Sequence, residues 1–181
     1  MARPFSEFTR IIGRGPTLSR PLDRDEAEAA MGMILDGQAA PEQLGGFLLV
    51  LRQRGETAAE LAGFTAAARA RMTRPADGAP PDIDWPSYAD KHRQQPWFVL
   101  AALLLAGAGY KVLMHGIAGE TEGCAPTRPV LAALGIPECR GLTAAAACLE
   151  SNGIAYAGLE FFAPGVEALF HLKPLLGVRS V

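Results

Sequence analysis

The pattern of apolar and polar positions divides the chain into two differently built parts. Up to Met72 the apolar side chains recur at helical spacing. In "LDRDEAEAAMGMILDG", Ala27, Ala30, Met31, Ile34 and Leu35 fall on one helical face. Asp23 with Glu26 three residues on is a capping box that starts this helix, and Gly37 stops it. Pro41 suits the first turn of the next helix, "PEQLGGFLLVLRQRG", which ends at Gly55. Thr57 with Glu60 repeats the capping box ahead of the Ala-rich "TAAELAGFTAAARARM", and "FSEFTRIIGRG" predicts a short helix before all of these. The pair Gly45-Gly46 lowers helix propensity by about 1 kcal/mol each relative to Ala. Close helix–helix approach at that pair is the benefit expected in return.

"TRPADGAPPD", Thr73 to Asp82, holds three prolines and a glycine and cannot continue a helix. It predicts a hinge at 74–82 between a helical domain, 1–73, and a second domain, 83–181. Beyond the hinge the pattern alternates. "DIDWPSY" and "YKVLMHG" read as strands, with the helix "QPWFVLAALLLAGAG" between them, apolar nearly all round and therefore expected to be buried. "TRPVLAALG" and "LTAAAACLESNG" read as helices ended by Gly135 and Gly153. "IAYAGLEFF" reads as a strand, "GVEALFHLKPLLG" as a helix, and "VRSV" as the opening of another strand. The expected fold is α/β: an N-terminal all-α domain, then a partial parallel sheet flanked by helices. Ligands in such sheets collect at the carboxyl ends of the strands. That places Ser87 to Gln95, His115 to Arg128 and Phe161 to Gly165 around one crevice.

Composition narrows the function classes. A chain of 181 residues is one domain or two small ones, and its 49% apolar and 20% charged content is that of a globular protein. A net charge of −2 argues against whole-chain attraction to nucleic acid, so any such binding needs a local basic cluster. Cys124, Cys139 and Cys148 form no CxxC pair and no metal spacing, as expected of a reduced cytoplasmic protein. The N-terminal "MARPFSEFTR" lacks the apolar core of a secretory signal. The longest apolar run, Trp97 to Tyr110, is too short to span a bilayer, so no membrane partner is expected.

The order and spacing of these pieces resemble the anthranilate phosphoribosyltransferase family, the glycosyltransferase family that also contains the pyrimidine nucleoside phosphorylases. The matching signals are "LDRDEAEAAMGMILDG", "QLGGFLLVLRQRGET" and "ELAGF", then the apolar helix, "VLMHG", "LAALGI" and "LLGVRS". Within the family, "IIGRG", "LDRD", "WPSYADKHRQ", "PTRPVLAALGI" and "GVRS" are most similar to the divergent YbiB-type branch. The resemblance implies a homodimer through the N-terminal helices and a phosphoribosyl or aromatic small-molecule ligand. It also implies that the magnesium-binding acids of the family lie beyond this C-terminus, so the chain looks truncated and carries no cofactor of its own. The YbiB-type resemblance implies instead a protein that holds single-stranded DNA or RNA along the old crevice.

The sequence departs from the family where phosphate would sit. The glycine-rich loop after the first strand is replaced by "PSYADKHRQ", which has no glycine to let backbone N–H groups approach a diphosphate. The family's Lys-His-Gly-Asn reads Met114-His115-Gly116-Ile117, and Glu120 and Glu122 follow. Two like charges 4 Å apart cost about 1 kcal/mol in bulk water and more in a cleft. The phosphoribosyl-diphosphate site is therefore expected to be degraded, with no catalytic residue assigned. His115, Gly116 and Arg179 stand at matching positions, and the resemblance gives Arg179 a role in holding a carboxylate. His115 is either a ligand contact or a turn histidine bonding a backbone carbonyl. Arg128 either binds an anion or caps a surface. Lys91, His92 and Arg93, with Ser87 and Tyr88 before them, are either an anion and base-stacking patch for nucleic acid or a solvated loop. Trp97 is a stacking platform or, more commonly at such a position, core. Cys124 has no evident acid–base partner to make it a nucleophile.

Overall fold

The computed structural model describes residues 3–75, 80–87, 95–117 and 127–178. The chain forms two compact units. One holds the residues up to Met72 together with those from Gly165 onward, and the other holds Thr73–Pro164.

In the first unit four helices enclose an aromatic core: α1 (Ser6–Gly13), α2 (Arg24–Leu35), α3 (Pro41–Arg54) and α4 (Ala58–Ala70). Phe5 and Phe64 both meet Phe47 edge-on, and Phe8, Ile12, Ala30 and Leu51 complete the buried cluster. Both expected capping boxes are present, Asp23 with Glu26 and Thr57 with Glu60. Glu60 does more than cap, because its side chain is fully buried. Its carboxylate accepts from the backbone N–H of Leu22 (2.9 Å), from Arg54 (2.5 Å) and from Thr57 N–H and Oγ1 (2.9 and 2.8 Å). Burial by itself would raise this carboxyl, but the Arg54 guanidinium and the N–H donors outweigh it and hold it below its ordinary value. One charge thus ties the segment before α2, the end of α3 and the start of α4.

The expected close approach at Gly45-Gly46 is not where the helices meet. A β-carbon on Gly46 would touch nothing, and one on Gly45 would make ordinary contact with Leu176. The tight contact is at Gly63 of α4, where a β-carbon would run into the Arg24 carbonyl of α2 and lie 2.7 Å from Ala27 Cβ. Ala27 and Ala67 are fully buried in the same region, so small side chains on both helices set the α2–α4 separation.

In the second unit four parallel strands, β1 (Ile83–Pro86), β2 (Val112–Gly116), β3 (Glu138–Cys139) and β4 (Ile154–Gly158), lie in the order β1-β2-β4-β3. Helices α5 (Phe98–Gly107), α6 (Thr127–Ala133) and α7 (Leu142–Asn152) make the crossovers. β4 is buried at every residue, as a strand covered on both faces must be. The "IAYAGLEFF" strand stops at Gly158 and continues as a short helix, α8 (Leu159–Phe162). β3 is a two-residue edge strand without the run of apolar residues that a strand reading needs.

Four further expectations are corrected. Helix α5 fully buries only Val99 and Ala102, while Leu100 and Leu104 point outward at 48% and 75% exposure. Trp97, at 69% exposure, is not core. A helix apolar on every side carries no pattern to say which side is packed. The second domain does not run to the end of the chain, because α9 (Pro164–Phe170) and α10 (Lys173–Leu176) bring Leu169 and Leu172 into the helical unit's core. These two helices replace the single one expected, since Pro174 has no N–H with which to continue α9. The "VRSV" strand falls from Arg179 on outside the described residues.

The α2–α4 contact makes a contrast between two glycines. Gly63→Ala is expected to force the helices apart and lower stability by about 1–3 kcal/mol. Gly46→Ala, with open space around it, should raise stability by about 0.5–1 kcal/mol. Urea unfolding midpoints of the two variants check this, and equal effects at the two positions would contradict it.

Candidate functional site at the carboxyl edge of the sheet

Strands β1, β2 and β4 end together. Pro86 pairs with His115, His115 with Ala157, and Gly116 with Gly158. Ser87 fastens this edge. Its N–H and Oγ both donate to the His115 carbonyl, at 2.8 and 3.0 Å. Its own carbonyl accepts from Oγ1 of Thr127, the buried first residue of α6, at 3.5 Å. A β-carbon on Gly116 would crowd Ser87 Oγ at 3.0 Å, so the bare backbone there is what admits the serine.

His115 is a strand residue, the fourth of β2, and its side chain is 16% exposed. Its Nε2 lies 2.8 Å from Oδ1 of Asp84 on β1. Its ring meets Phe162 of α8 edge-on, with centroids 5.9 Å apart. The imidazole is thus held by a carboxylate on one side and an aromatic ring on the other.

Arg128, on the first turn of α6, occupies the centre of an ion-pair cluster. Its Nη2 is 2.6 Å from Glu160 Oε2 and its Nε 3.1 Å from Glu138 Oε1. The guanidinium also lies over the ring of Tyr156, 5.7 Å from the centroid, with Nε 3.4 Å from the phenol oxygen. Desolvation works against its charge, but Glu160, Tyr156 and Glu138 more than offset that and hold it above its ordinary range. Burial likewise opposes the charge of Glu160, and Arg128 reverses the effect, so that carboxyl is held below its usual value. Burial raises the phenol of Tyr156 despite Arg128. Gly158 makes room for all of this. A β-carbon there would fall on Arg128 Nη2 and lie 2.5 Å from Glu160 Oε2 and 2.8 Å from Glu138 Oε1. Beside the cluster is a cavity of about 210 Å³, lined by Arg128, Leu131, Ile136, Glu138 and Tyr156 among others. That is below the usual range for a small-molecule pocket.

Of the sequence candidates, Ser87, His115, Gly116 and Arg128 gather at this edge. Tyr88, Lys91, His92, Arg93 and Arg179, with Glu120, Glu122 and Cys124, lie outside the described residues. Gly165 belongs to the helical unit. Sequence reasoning missed Asp84, Glu138, Tyr156 and Glu160. It also missed Arg140, an exposed side chain directly after β3 whose guanidinium lies over the Phe161 ring at 5.6 Å. The available signal was indirect: a partly buried arginine needs counter-charges, but nothing in the spacing pairs 128 with 138 and 160. Among the described residues no three His, Cys, Asp or Glu side chains converge, and Glu138 and Glu160 are both taken by Arg128.

Comparison with known proteins defines the class first. Residues 6–72 match the helical bundle domain of a glycosyl transferase family. Over 179 residues the chain is 31% identical to the uncharacterized protein YbiB of Escherichia coli, covering 97% of this chain and 55% of YbiB. Over 169 residues it is 36% identical to the anthranilate phosphoribosyltransferase of Rhizobium johnstonii, covering 89% of this chain and 47% of that enzyme. The crystal structure of anthranilate phosphoribosyltransferase from Thermus thermophilus superposes with a TM-score of 0.81 at 23% identity, over 98% of this chain and 52% of that one. The Saccharomyces cerevisiae enzyme in complex with PRPP and Mg gives a TM-score of 0.75 at 17% identity, over 97% and 52%. At these identities the structural likeness speaks for the fold. The chain thus carries the helical bundle domain of a glycosyl transferase family, is similar over nearly its whole length to anthranilate phosphoribosyltransferases, and spans about half the length of the relatives it matches.

Gly158→Ala should act by displacing the Arg128 cluster, because the atoms nearest its β-carbon are the charged ends of Arg128, Glu160 and Glu138. Losing charge-assisted hydrogen bonds of this kind costs about 1.5–3 kcal/mol. In an Arg128→Met background the same substitution should cost far less, since the guanidinium is already gone. A double-mutant cycle in denaturant checks this. Strictly additive costs would show that Gly158 is needed for some other reason.

Proposed function

We propose that this chain keeps the phosphoribosyltransferase fold without its phosphoribosyl-transfer chemistry. The observation that carries the reading is the commitment of Arg128. A diphosphate at the carboxyl edge needs cations or free N–H groups. Arg128 stands at that edge but is already matched by Glu138 and Glu160. One positive and two negative charges leave a net −1 where the ligand would bring more negative charge. At an effective dielectric near 20, each like-charge pair at 4 Å costs about 4 kcal/mol. The sequence adds Glu120 and Glu122 after β2 and a loop without glycine after β1. Incubation with anthranilate, phosphoribosyl diphosphate and magnesium is expected to give no product above an enzyme-free control. Product above that control would overturn the reading.

A second reading, binding of single-stranded nucleic acid, is favoured by Arg140 and Phe161. They pair an exposed guanidinium with an aromatic ring at the carboxyl edge, a combination suited to phosphate and base stacking. Ser87, pinned to β2, is the fixed point from which the segment with Tyr88, Lys91, His92 and Arg93 departs. At net charge −2 the remaining surface gives little help, so these few cations should dominate. Lys91→Ala with Arg93→Ala is expected to weaken binding of a labelled oligonucleotide and make its salt dependence shallower by about two phosphate contacts. Fluorescence anisotropy across a salt series reads both quantities. Unchanged affinity and slope would place the site elsewhere, and no binding by the parent chain at low salt would end this reading.

A further inference from the structure

Two of the three cysteines, unremarkable by spacing, meet in the fold. Cys139 is the last residue of the edge strand β3 and Cys148 lies on α7, the helix that follows it. Their sulfurs are 3.1 Å apart, with both thiols free. A disulfide needs an S–S distance of about 2.0 Å, so the gap to close is about 1 Å. The two sulfurs differ in access, since Cys139 is buried at 4% exposure and Cys148 is partly open to solvent. The geometry points to Cys139 and Cys148 as a peroxide-sensitive dithiol, in which Cys148 is oxidised first and Cys139 closes an intramolecular disulfide.

The chemistry balances in two steps. The Cys148 sulfur attacks one peroxide oxygen; the S–O bond forms, the O–O bond breaks, and the departing hydroxide leaves with the thiol's proton as water. The Cys139 sulfur then attacks the sulfenic sulfur of Cys148; the S–S bond forms, the S–O bond breaks, and a second water leaves with the Cys139 proton. Two thiols have lost two electrons and two hydrogens, and the peroxide has become two waters. The order of attack follows from environment. Burial, reinforced by the hydrogen bond with Cys148, pushes the Cys139 thiol up to about 12, so it stays protonated and unreactive until its neighbour is activated. The closed bond would fasten the two-residue edge strand to α7. Because Glu138 immediately precedes Cys139 and holds Arg128, oxidation also fixes one arm of the ion-pair cluster.

The test uses the intact chain carrying Cys124→Ser, which leaves only the two cysteines in question. After brief exposure to hydrogen peroxide, free thiols are alkylated and the protein is digested with trypsin. Cleavage after Arg140 separates the two cysteines. The expected product runs as a single chain on a denaturing non-reducing gel and yields a dithiothreitol-sensitive species joining the Cys139 and Cys148 peptides, two hydrogens lighter than their sum. The two thiols should disappear together as peroxide is raised. Sulfinic acid at Cys148 with Cys139 still fully alkylated would overturn the proposal, as would a bond found only between chains on a non-reducing gel.

Discussion

The Arg128 guanidinium sits between Glu138 and Glu160, on the ring of Tyr156, in space that Gly158 leaves open. These contacts join α6, β3, β4 and α8, pieces of the chain on both sides of α7. β3 in particular is two residues long and pairs with β4 over two positions, Glu138 with Tyr156 and Cys139 with Ala157. A strand that short gains little from ladder hydrogen bonds, so its placement leans on what its side chains hold. Glu138 and Cys139 both face partners, one an arginine and the other a thiol. The edge of the sheet is therefore fixed by side-chain chemistry more than by backbone pairing.

The helical unit uses the same device in a different setting. Glu60 is completely buried, and its carboxylate is surrounded by donors from Leu22, Arg54 and Thr57. Removing any donor would leave part of a fully buried charge unpaired. In both units a single charged side chain links segments distant in sequence. The difference is exposure. Glu60 is sealed inside, where its task is structural, whereas the Arg128 cluster stands at the carboxyl edge, where charge also decides what can bind.

The features legible in the sequence were those written into neighbouring residues. Asp23 with Glu26 and Thr57 with Glu60 announced helix starts, because a capping box is made within four residues. Gly135 and Gly153 announced helix ends, because both take the left-handed backbone that a side chain disfavours. What escaped was set by distant contacts. Gly63, inside an Ala-rich helix, gave no sign that it faces the Arg24 carbonyl, whereas the conspicuous Gly45-Gly46 pair faces little. The uniform apolarity of α5 concealed its open side, and with it the exposure of Trp97. The partners of Arg128, and the meeting of Cys139 with Cys148 across a strand–helix turn, depend on the order in which strands enter the sheet. No local spacing encodes that order.

The separation between core and edge is what lets one fold carry different chemistries. The core of the second unit is Val99, Ala102, Val112, Met114, Leu131, Ile154 and Tyr156, and all but the phenol of Tyr156 are indifferent to charge at the strand ends. The core of the helical unit is aliphatic and aromatic apart from the buried carboxylate of Glu60. Charge at the strand ends can therefore vary without touching this packing, and a chain 23% identical to a known enzyme can retain a TM-score of 0.81 to it. Binding answers to the opposite set of residues. Two carboxylates sharing the one edge arginine change which ligands such a site tolerates by several kcal/mol in total, while the apolar packing beneath them stays the same. The fold is thus evidence for descent. The charges at the sheet's carboxyl edge are the evidence that bears on what the descendant does.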